Sequence, residues 1–257
     1  MIFDSHIHTE VSVDSQMQAT DALQRAQALG LGLVFTEHED IDLPSDEDST
    51  FDPKAYFEKY HALRNENLRL GVELGMIRGL GERNRAFIES APFDQVTGSI
   101  HALAGFEICY PPFYEGREKA EAYALYLQEM EACIREHPFI DCLAHIDYIA
   151  RYAPYPEPNL TYQTFADGID KVLRALLETG TILEINTRRF NNRLAAKELL
   201  PLLARYRDLG GRYVVLGSDA HRVEAIGHAF PFAQDMAEAI GLIIVTFCQR
   251  RLEICRR

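Results

Sequence analysis

The sequence predicts an α/β fold in which parallel strands close into a barrel, and three observations carry that reading. Short apolar runs alternate with amphipathic helical stretches along the chain, the order that builds a parallel sheet. Seven of these runs finish beside a chemically useful polar residue. Side chains contributed by many strand ends are the habit of (β/α) barrels, whereas an open doubly wound sheet gathers its site at one switch point. No linker, low-complexity run or repeat divides the 257 residues, so residues 1–257 are expected to form one domain.

The first strand lies in Met1-Ile-Phe-Asp-Ser-His-Ile-His-Thr-Glu-Val-Ser-Val-Asp14. Side chains two apart share a face of an extended segment, so Asp4, His6 and His8 are expected to project together. A helix over 20–29 follows, with Ala22, Leu23, Ala26 and Leu29 on one face and Gly30 placed to end it. Residues 31–36 read as a buried strand followed by Glu37-His38-Glu39-Asp40. The plan repeats with a helix over 53–68, a strand over 70–74 carrying Glu73, a helix over 81–90, and a strand over 94–99 ending before His101. A long helix over 116–135 precedes a strand over 140–144 that ends at His145. A helix over 164–178 precedes a strand over 181–185 that flows into Asn186-Thr187-Arg188-Arg189. A helix over 194–209 precedes a strand over 212–217 ending at Ser218-Asp219-Ala220-His221, and a last helix near 231–240 leads to an apolar segment, 242–247.

Composition narrows the function. With 47% hydrophobic residues the chain can bury a large core. Its 26 Lys and Arg against 39 Asp and Glu give a formal charge of −13, which argues against nucleic-acid binding through a basic surface. An anionic substrate stays open, because clustered divalent cations would reverse the field locally. The five Cys (Cys109, Cys133, Cys142, Cys248 and Cys255) are widely spaced and form no C-x-x-C, as expected of thiols in a reducing compartment. No apolar run approaches the ~20 residues of a membrane span, and the N-terminus lacks a signal-peptide layout. A soluble, cytoplasmic protein is expected.

The residues beside the strand ends that could ligate a metal are His6, His8, Asp14, His38, Glu73, His101, His145, Asp219 and His221. A lone His such as His38 or His101 is more often an ordinary hydrogen-bonded residue than a ligand. Taken jointly the pattern is harder to dismiss, since six of the nine His fall near strand ends. A carboxylate such as Glu73 behind an apolar run would also be costly to bury unpaired. His61, His137 and His228 fall elsewhere and are read as structural.

The successive motifs Asp4-x-His6-x-His8-Thr9, Thr36-Glu37-His38-x-Asp40, Gly71-Val72-Glu73, Gly98-Ser99-Ile100-His101, Leu143-x-His145-x-Asp147 and Gly217-Ser218-Asp219-Ala220-His221 resemble those of the PHP (polymerase and histidinol phosphatase) family, in order and spacing, from Phe3 to His221. That resemblance implies a metal-dependent phosphoesterase on a distorted (β/α)7 TIM-like barrel. Length and Glu184-Ile-Asn-Thr187 resemble the histidinol-phosphatase branch. The resemblance further implies three divalent cations. His6, His8, Glu73 and Asp219 would hold the first, Glu73 with His101 and His145 the second, and Asp14, His38 and His221 the third. Mixed nitrogen and oxygen donors suit Zn, Fe or Mn, and the carboxylate of Asp14 stands where some relatives carry His.

Such a cluster would lower the pKa of a bound water from about 15.7 towards roughly 7 and clamp phosphate oxygens for in-line attack. The expected reaction is attack of a metal-activated hydroxide on phosphorus without a phosphoenzyme, with Asp219 orienting the nucleophile or taking its proton. Arg151, and Arg188 or Arg189, fit phosphate as guanidinium forks. The resemblance adds Ser15 to the phosphate site, and Arg193 crowds the same loop as Arg188 and Arg189. Glu107, Glu115 and Asp147 are candidates for a cationic leaving group, and residues 106–123 for a lid or pocket wall.

The expected activity is therefore hydrolysis of a small phosphorylated substrate, L-histidinol phosphate, to L-histidinol and phosphate. The alternative within the same chemistry is another small phosphate ester or a nucleotide; the acidic charge counts against long nucleic acids. A metal-binding module without activity would be expected to lack a ligand, and none is missing. A C–N hydrolase on a related metal barrel would call for Lys at a strand end, and there is none. Nothing in the sequence fixes an oligomeric state.

Overall fold

The computed structural model describes residues 1–44 and 48–255. In chain order the elements are β1 (Ile2–Ile7), α1 (Ala19–Leu29), β2 (Leu31–Glu39), α2 (Pro53–Tyr60), β3 (Leu68–Gly75), α3 (Gly81–Glu89), β4 (Val96–Ser99), β5 (Ala102–Leu103), β6 (Phe106–Glu107), α4 (Lys119–Glu136), β7 (Cys142–Leu143), α5 (Tyr162–Thr179), β8 (Ile182–Asn186), α6 (Arg193–Asp208), β9 (Tyr213–Gly217), α7 (Phe230–Ile240), β10 (Ile243–Cys248) and β11 (Arg251–Ile254). The parallel ladder runs β1-β2-β3-β4-β7-β8-β9, the seven strands expected from the sequence.

The ladder closes at one end only. β9 and β1 meet through a parallel bridge between Ile7 and Ala220, with His8 N donating to Ala220 O (2.9 Å) and Asp219 N to His6 O (2.8 Å). Towards their other end β10 pairs with the start of β9 (Ile243 with Tyr213, Ile244 with Val214) and reaches β1 through Ser5 Oγ and Thr246 Oγ1. That inserted strand is what distorts the barrel. Val245 and Phe247 of β10 form a small apolar cluster with Cys142, Ile182 and Val215. At the turn after β10, Arg250 pairs with Asp141 (2.5 Å), and Asp94 accepts Gln249 N (2.9 Å).

Strand alternation separates the structural face from the chemical one. On β3, Leu68, Leu70, Val72 and Leu74 join the main core with Tyr56 and Tyr60 of α2, while Glu73 meets imidazoles from four other segments. Residues one apart point to opposite faces, so one strand serves both needs. Helix ends follow local chemistry. Asp52 caps α2 by accepting Lys54 N, with Pro53 at the first helical position, and Asn192 caps α6 by accepting Leu194 N (2.9 Å). Gly30 ends α1 in the left-handed conformation (φ 67°) that a glycine adopts without a Cβ penalty.

Several expected boundaries shift. The helix expected over 53–68 stops at Tyr60, because Asn65 builds a turn: its Oδ1 accepts Asn67 N (2.7 Å) and Leu68 N (3.2 Å). The strand expected over 31–36 runs on to Glu39, since His38 and Glu39 pair with Glu73 and Leu74. The strand expected over 140–144 shrinks to Cys142–Leu143, and the helix expected from 116 begins at Lys119. The segment 242–247 is a strand, and it continues into the hairpin β10–β11, which lacks any sequence signal used above. Among the described residues no helix is long and apolar enough to cross a membrane.

Candidate active site

All nine candidate ligands converge at the closed end of the barrel. β1 delivers His6 and His8, β2 His38, β3 Glu73, the loops after β4 and β7 His101 and His145, the loop after β1 Asp14, and the segment after β9 Asp219 and His221. Three groups can be traced by distance. Glu73 Oε2 lies 3.3 Å from His6 Nε2 and 3.4 Å from His8 Nε2, with Asp219 Oδ1 3.9 and 3.7 Å from the same nitrogens. Glu73 Oε1 lies 2.8 Å from His145 Nε2 and 3.4 Å from His101 Nε2. Asp14 reaches His38 Nε2 (3.6 Å) and His221 Nε2 (2.9 Å). Glu73 thus joins the first two groups, and its Oε2 also sits 3.1 Å from His38 Nδ1.

The donor set fits divalent cations, and tautomers are the reason. His6 Nδ1 donates to the Glu184 carboxylate (2.8 Å), which can only accept. Ser12 gives its hydroxyl proton to Glu37 (2.6 Å), so His8 Nδ1 must donate to Ser12 Oγ (3.0 Å). In their neutral forms both rings turn Nε2 lone pairs towards each other at 3.1 Å, a repulsive contact unless a proton or cation lies between. Two ligands about 2.1 Å from a tetrahedral ion sit roughly 3.4 Å apart, which matches the spacing around Glu73 Oε2. Glu73 Oε2, His38 Nδ1 and His145 Nδ1 are all buried without a well-formed hydrogen bond. Buried polar atoms are normally satisfied, so this cluster of exceptions points to a missing partner of opposite character.

Protonation follows the same geometry. Burial would push Glu73 up, but the surrounding imidazoles, His6 first, hold it well below the usual carboxylate range. Burial would lower His6, His38 and His101; the carboxylates outweigh it and raise all three, His101 to about 9 through Asp40 and Glu73. Burial and the neighbouring His38 and His221 keep His8 low, and burial with Arg151 keeps His145 low.

Asp219 occupies the left-handed region (φ 54°), a conformation that Asp tolerates better than most residues. Its Oδ2 is 2.6 Å from Arg151 Nη1 and its Oδ1 2.8 Å from Arg188 Nη1. Despite burial, the two guanidiniums hold Asp219 well below its ordinary value. Arg151 and Arg188 line a cleft of about 220 Å³ together with Asp14, His101 and Asp219. Glu107, Cys109, Tyr110, Tyr148 and Tyr152 also line it, Tyr148 beside His101 and His145, so part of the expected 106–123 wall is in place.

Other residues named from the sequence make their contacts elsewhere. Arg189 is turned away from the cleft: Nη1 pairs with Asp147 Oδ2 (2.5 Å) and Nη2 donates to Asn159 Oδ1 (2.7 Å), which ties two loops together. Asp147 is engaged by that same pair, and neither it nor Glu115 lines the cleft. Ser15 directs its hydroxyl to His8 O (3.0 Å) and His221 O (3.3 Å), bracing the backbone of two ligand-bearing segments. Asp4 does not join His6 and His8. An irregularity in β1 between Asp4 and Ile7 breaks the alternation, and the Asp4 carboxylate accepts Ser218 N, Ser218 Oγ and Gly227 N instead. His137 is buried against Cys133 O and Asn84, a structural residue as expected.

Glu184, Asp40 and Glu37 stand within the motifs quoted from the sequence, but no role was expected of them. Asp40 accepts His101 Nδ1 (2.8 Å) and lies 3.3 Å from His38 Nδ1. The available signal was spacing: a carboxylate two residues beyond His38 in an extended segment lies on the same side.

Residues 4–188 match the sequence profile described as the PHP domain. The chain is 40% identical over 253 residues to a protein of Clostridium acetobutylicum named probable histidinol-phosphatase, covering 98% of this chain and 99% of that one. It is 33% identical over 226 residues to the histidinol-phosphatase of Lactococcus lactis subsp. lactis, covering 85% and 83%. The crystal structure of a histidinol phosphate phosphatase from Lactococcus lactis, complexed with zinc, L-histidinol and phosphate, superposes with a TM-score of 0.93 at 28% identity over 98% of both chains.

Proposed function

The chain belongs to the PHP family, and from that premise we propose that it is a phosphoric monoester hydrolase acting on L-histidinol phosphate, releasing L-histidinol and phosphate in histidine biosynthesis. Residues 1–257 act as one catalytic domain in this reading, in the cytoplasm. The observation that carries it is the joining of three imidazole–carboxylate groups through Glu73, with Arg151 and Arg188 meeting Asp219 at their edge. His6, His8, Glu73 and Asp219 would hold one divalent cation, Glu73, His101 and His145 a second, and Asp14, His38 and His221 a third, with Zn, Fe or Mn suited to the donors. When bound, the cations supply an acidified water and positive charge against the phosphate oxygens.

The chain's own groups do the rest. Arg151 and Arg188 present guanidinium N–H groups to the phosphate oxygens. Asp219, kept ionised by those arginines, would orient the attacking water along the line to phosphorus or take its proton. Tyr110, Tyr148 and Tyr152 exclude solvent from the organic half of the substrate, and Glu107 offers negative charge to a cationic leaving group. The net charge of −13 suits that cationic half and disfavours long nucleic acids.

A substrate panel with metal-replete enzyme tests the reading, with histidinol phosphate beside p-nitrophenyl phosphate, nucleotides and bis-p-nitrophenyl phosphate. Selective turnover of histidinol phosphate is expected, and preference for a nucleotide or the diester would replace it with another phosphoesterase activity. Elemental analysis of the same sample reads metal identity and number.

A further inference from the structure

β8 ends in Glu184 and Asn186, two side chains that touch both halves of the site. Glu184 is buried, and three N–H donors converge on its carboxylate: His6 Nδ1 on Oε1 (2.8 Å), and His145 N (2.6 Å) and Asn186 Nδ2 (3.0 Å) on Oε2. Asn186 then turns its Oδ1 outward, where it accepts Arg151 Nη2 (3.1 Å) and Arg188 N (3.1 Å). The amide orientation follows from its neighbours, since the NH₂ must face the carboxylate and the carbonyl oxygen the guanidinium. Gly217 on β9 makes room for this arrangement. A Cβ there would fall 1.9 Å from Glu184 Oε1 and 2.6 Å from His6 Cβ.

Resting on the phosphatase reading above, we propose that Glu184 and Asn186 are positioning residues that form one strut: Glu184 fixes the metal-binding imidazoles, and Asn186 fixes the phosphate-binding arginines against the same strand end. The physical argument is donor and acceptor matching. A carboxylate accepts from all three N–H groups at once, whereas a glutamine must turn its own NH₂ towards one of them. His6 would then lose its fixed tautomer or His145 its backbone anchor, and a bare Nε2 would no longer be held towards the cation. A carboxylate behind a ligand imidazole also raises the basicity of its far nitrogen. Asn186 acts on the other half: without its oxygen, Arg151 keeps its pairing with Asp219 but loses the contact that sets the plane of its fork.

The two ends of the strut should fail separately. With full-length zinc-loaded enzyme, Glu184→Gln is expected to weaken zinc retention against a competing chelator by ~10–100-fold, the usual cost of losing such a partner. Asn186→Ala is expected to retain zinc as the wild type does, and to raise both KM and the Ki of inorganic phosphate by roughly tenfold, the loss of about one hydrogen bond to a charged group. Its kcat should move much less. Should Glu184→Gln fail to fold, Glu184→Asp, which keeps the charge but falls short of His6, must show the same zinc loss. Wild-type zinc retention in the folded Glu184 variant, or an unchanged phosphate Ki in Asn186→Ala, overturns the proposal. Zinc retention and phosphate inhibition can be read with p-nitrophenyl phosphate as reporter, and phosphate binding by calorimetry. Failure to hydrolyse histidinol phosphate would therefore sink the substrate assignment and leave the strut to be judged on its own results.

Discussion

Arg188 and Asp219 are joined twice, with Arg188 Nη1 2.8 Å from Asp219 Oδ1 and 2.8 Å from its carbonyl oxygen. Arg189, one residue on, points the other way to Asp147 and Asn159. Arg188→Ala should therefore raise KM for a phosphate ester by ~10–100-fold, the loss of about 1.5–3 kcal/mol of hydrogen bonding to a charged group, with metal content unchanged. Arg189→Ala should leave KM within about threefold and lower Tm, because it strands the partly buried Asp147. Steady-state kinetics and a melting curve on the two variants separate these roles. Equal KM effects would mean that both arginines reach the substrate.

Asp219→Asn tests the orienting role. The amide keeps the size of the side chain, but it cannot accept from both arginines and bind a cation with full charge. A fall in kcat of at least ~10²-fold is expected, comparable to removing one electrostatic element of an active site. Metal content must be measured in the same sample, since inactivity with full metal assigns the loss to chemistry. An unchanged kcat would remove Asp219 from the reaction.

The strand-end motifs were legible because parallel βα topology carries the C-terminal end of every strand to one mouth, so sequence position alone places His6, His38, Glu73, His145 and Asp219 together. Side-chain direction within the loops was not legible. Arg188 and Arg189 are neighbours in sequence and part company only because Asp147 and Asn159 arrive from another loop. Ser15 is occupied by the backbone of His8 and His221, a contact that exists only once β1 and β9 have met. Asp4 obeyed the pattern of alternation on paper and lost it to an irregularity in β1. The role of Glu184 likewise depends on Gly217 of the neighbouring strand leaving room for it.

Cation uptake should release protons. His101, whose burial is outweighed by Asp40 and Glu73, is pushed up to about 9 from an ordinary 6.5, and His6 and His38 are raised as well. A raised imidazole pKa means that the proton stays on at neutral pH and competes with a cation until the pH passes the raised value. Apparent affinity should therefore climb between about pH 6.5 and about pH 9, by up to about tenfold per pH unit for each proton displaced. Calorimetry at pH 7 in two buffers of different ionisation heat counts the protons. Zinc binding with no buffer dependence would show that these imidazoles are already neutral.

Gly75 offers a test that leaves every candidate ligand untouched. A Cβ at Gly75 would lie 2.0 Å from Asp40 Oδ1 and 2.8 Å from its Cγ, so alanine must drive the Asp40 side chain from its place. Asp40 holds His101 Nδ1 and sits beside His38 Nδ1, imidazoles assigned to two different cations, while His6 and His8 are held by Glu184 and Ser12. Gly75→Ala should thus lower the number of metals retained without emptying the site held by His6 and His8. Gly71 lies four residues earlier on the same strand, and the atoms nearest a Cβ there are Gln95 O at 2.8 Å, Val34 Cγ1 at 3.0 Å and Phe35 O at 3.2 Å, none of them on an imidazole. Gly71→Ala should cost comparable stability, ~1–3 kcal/mol for overpacking, with metal stoichiometry intact. Elemental analysis beside a melting curve on both variants reads the difference. Equal metal loss in the two would mean that general loosening of the barrel, rather than Asp40, governs how firmly His38 and His101 are held.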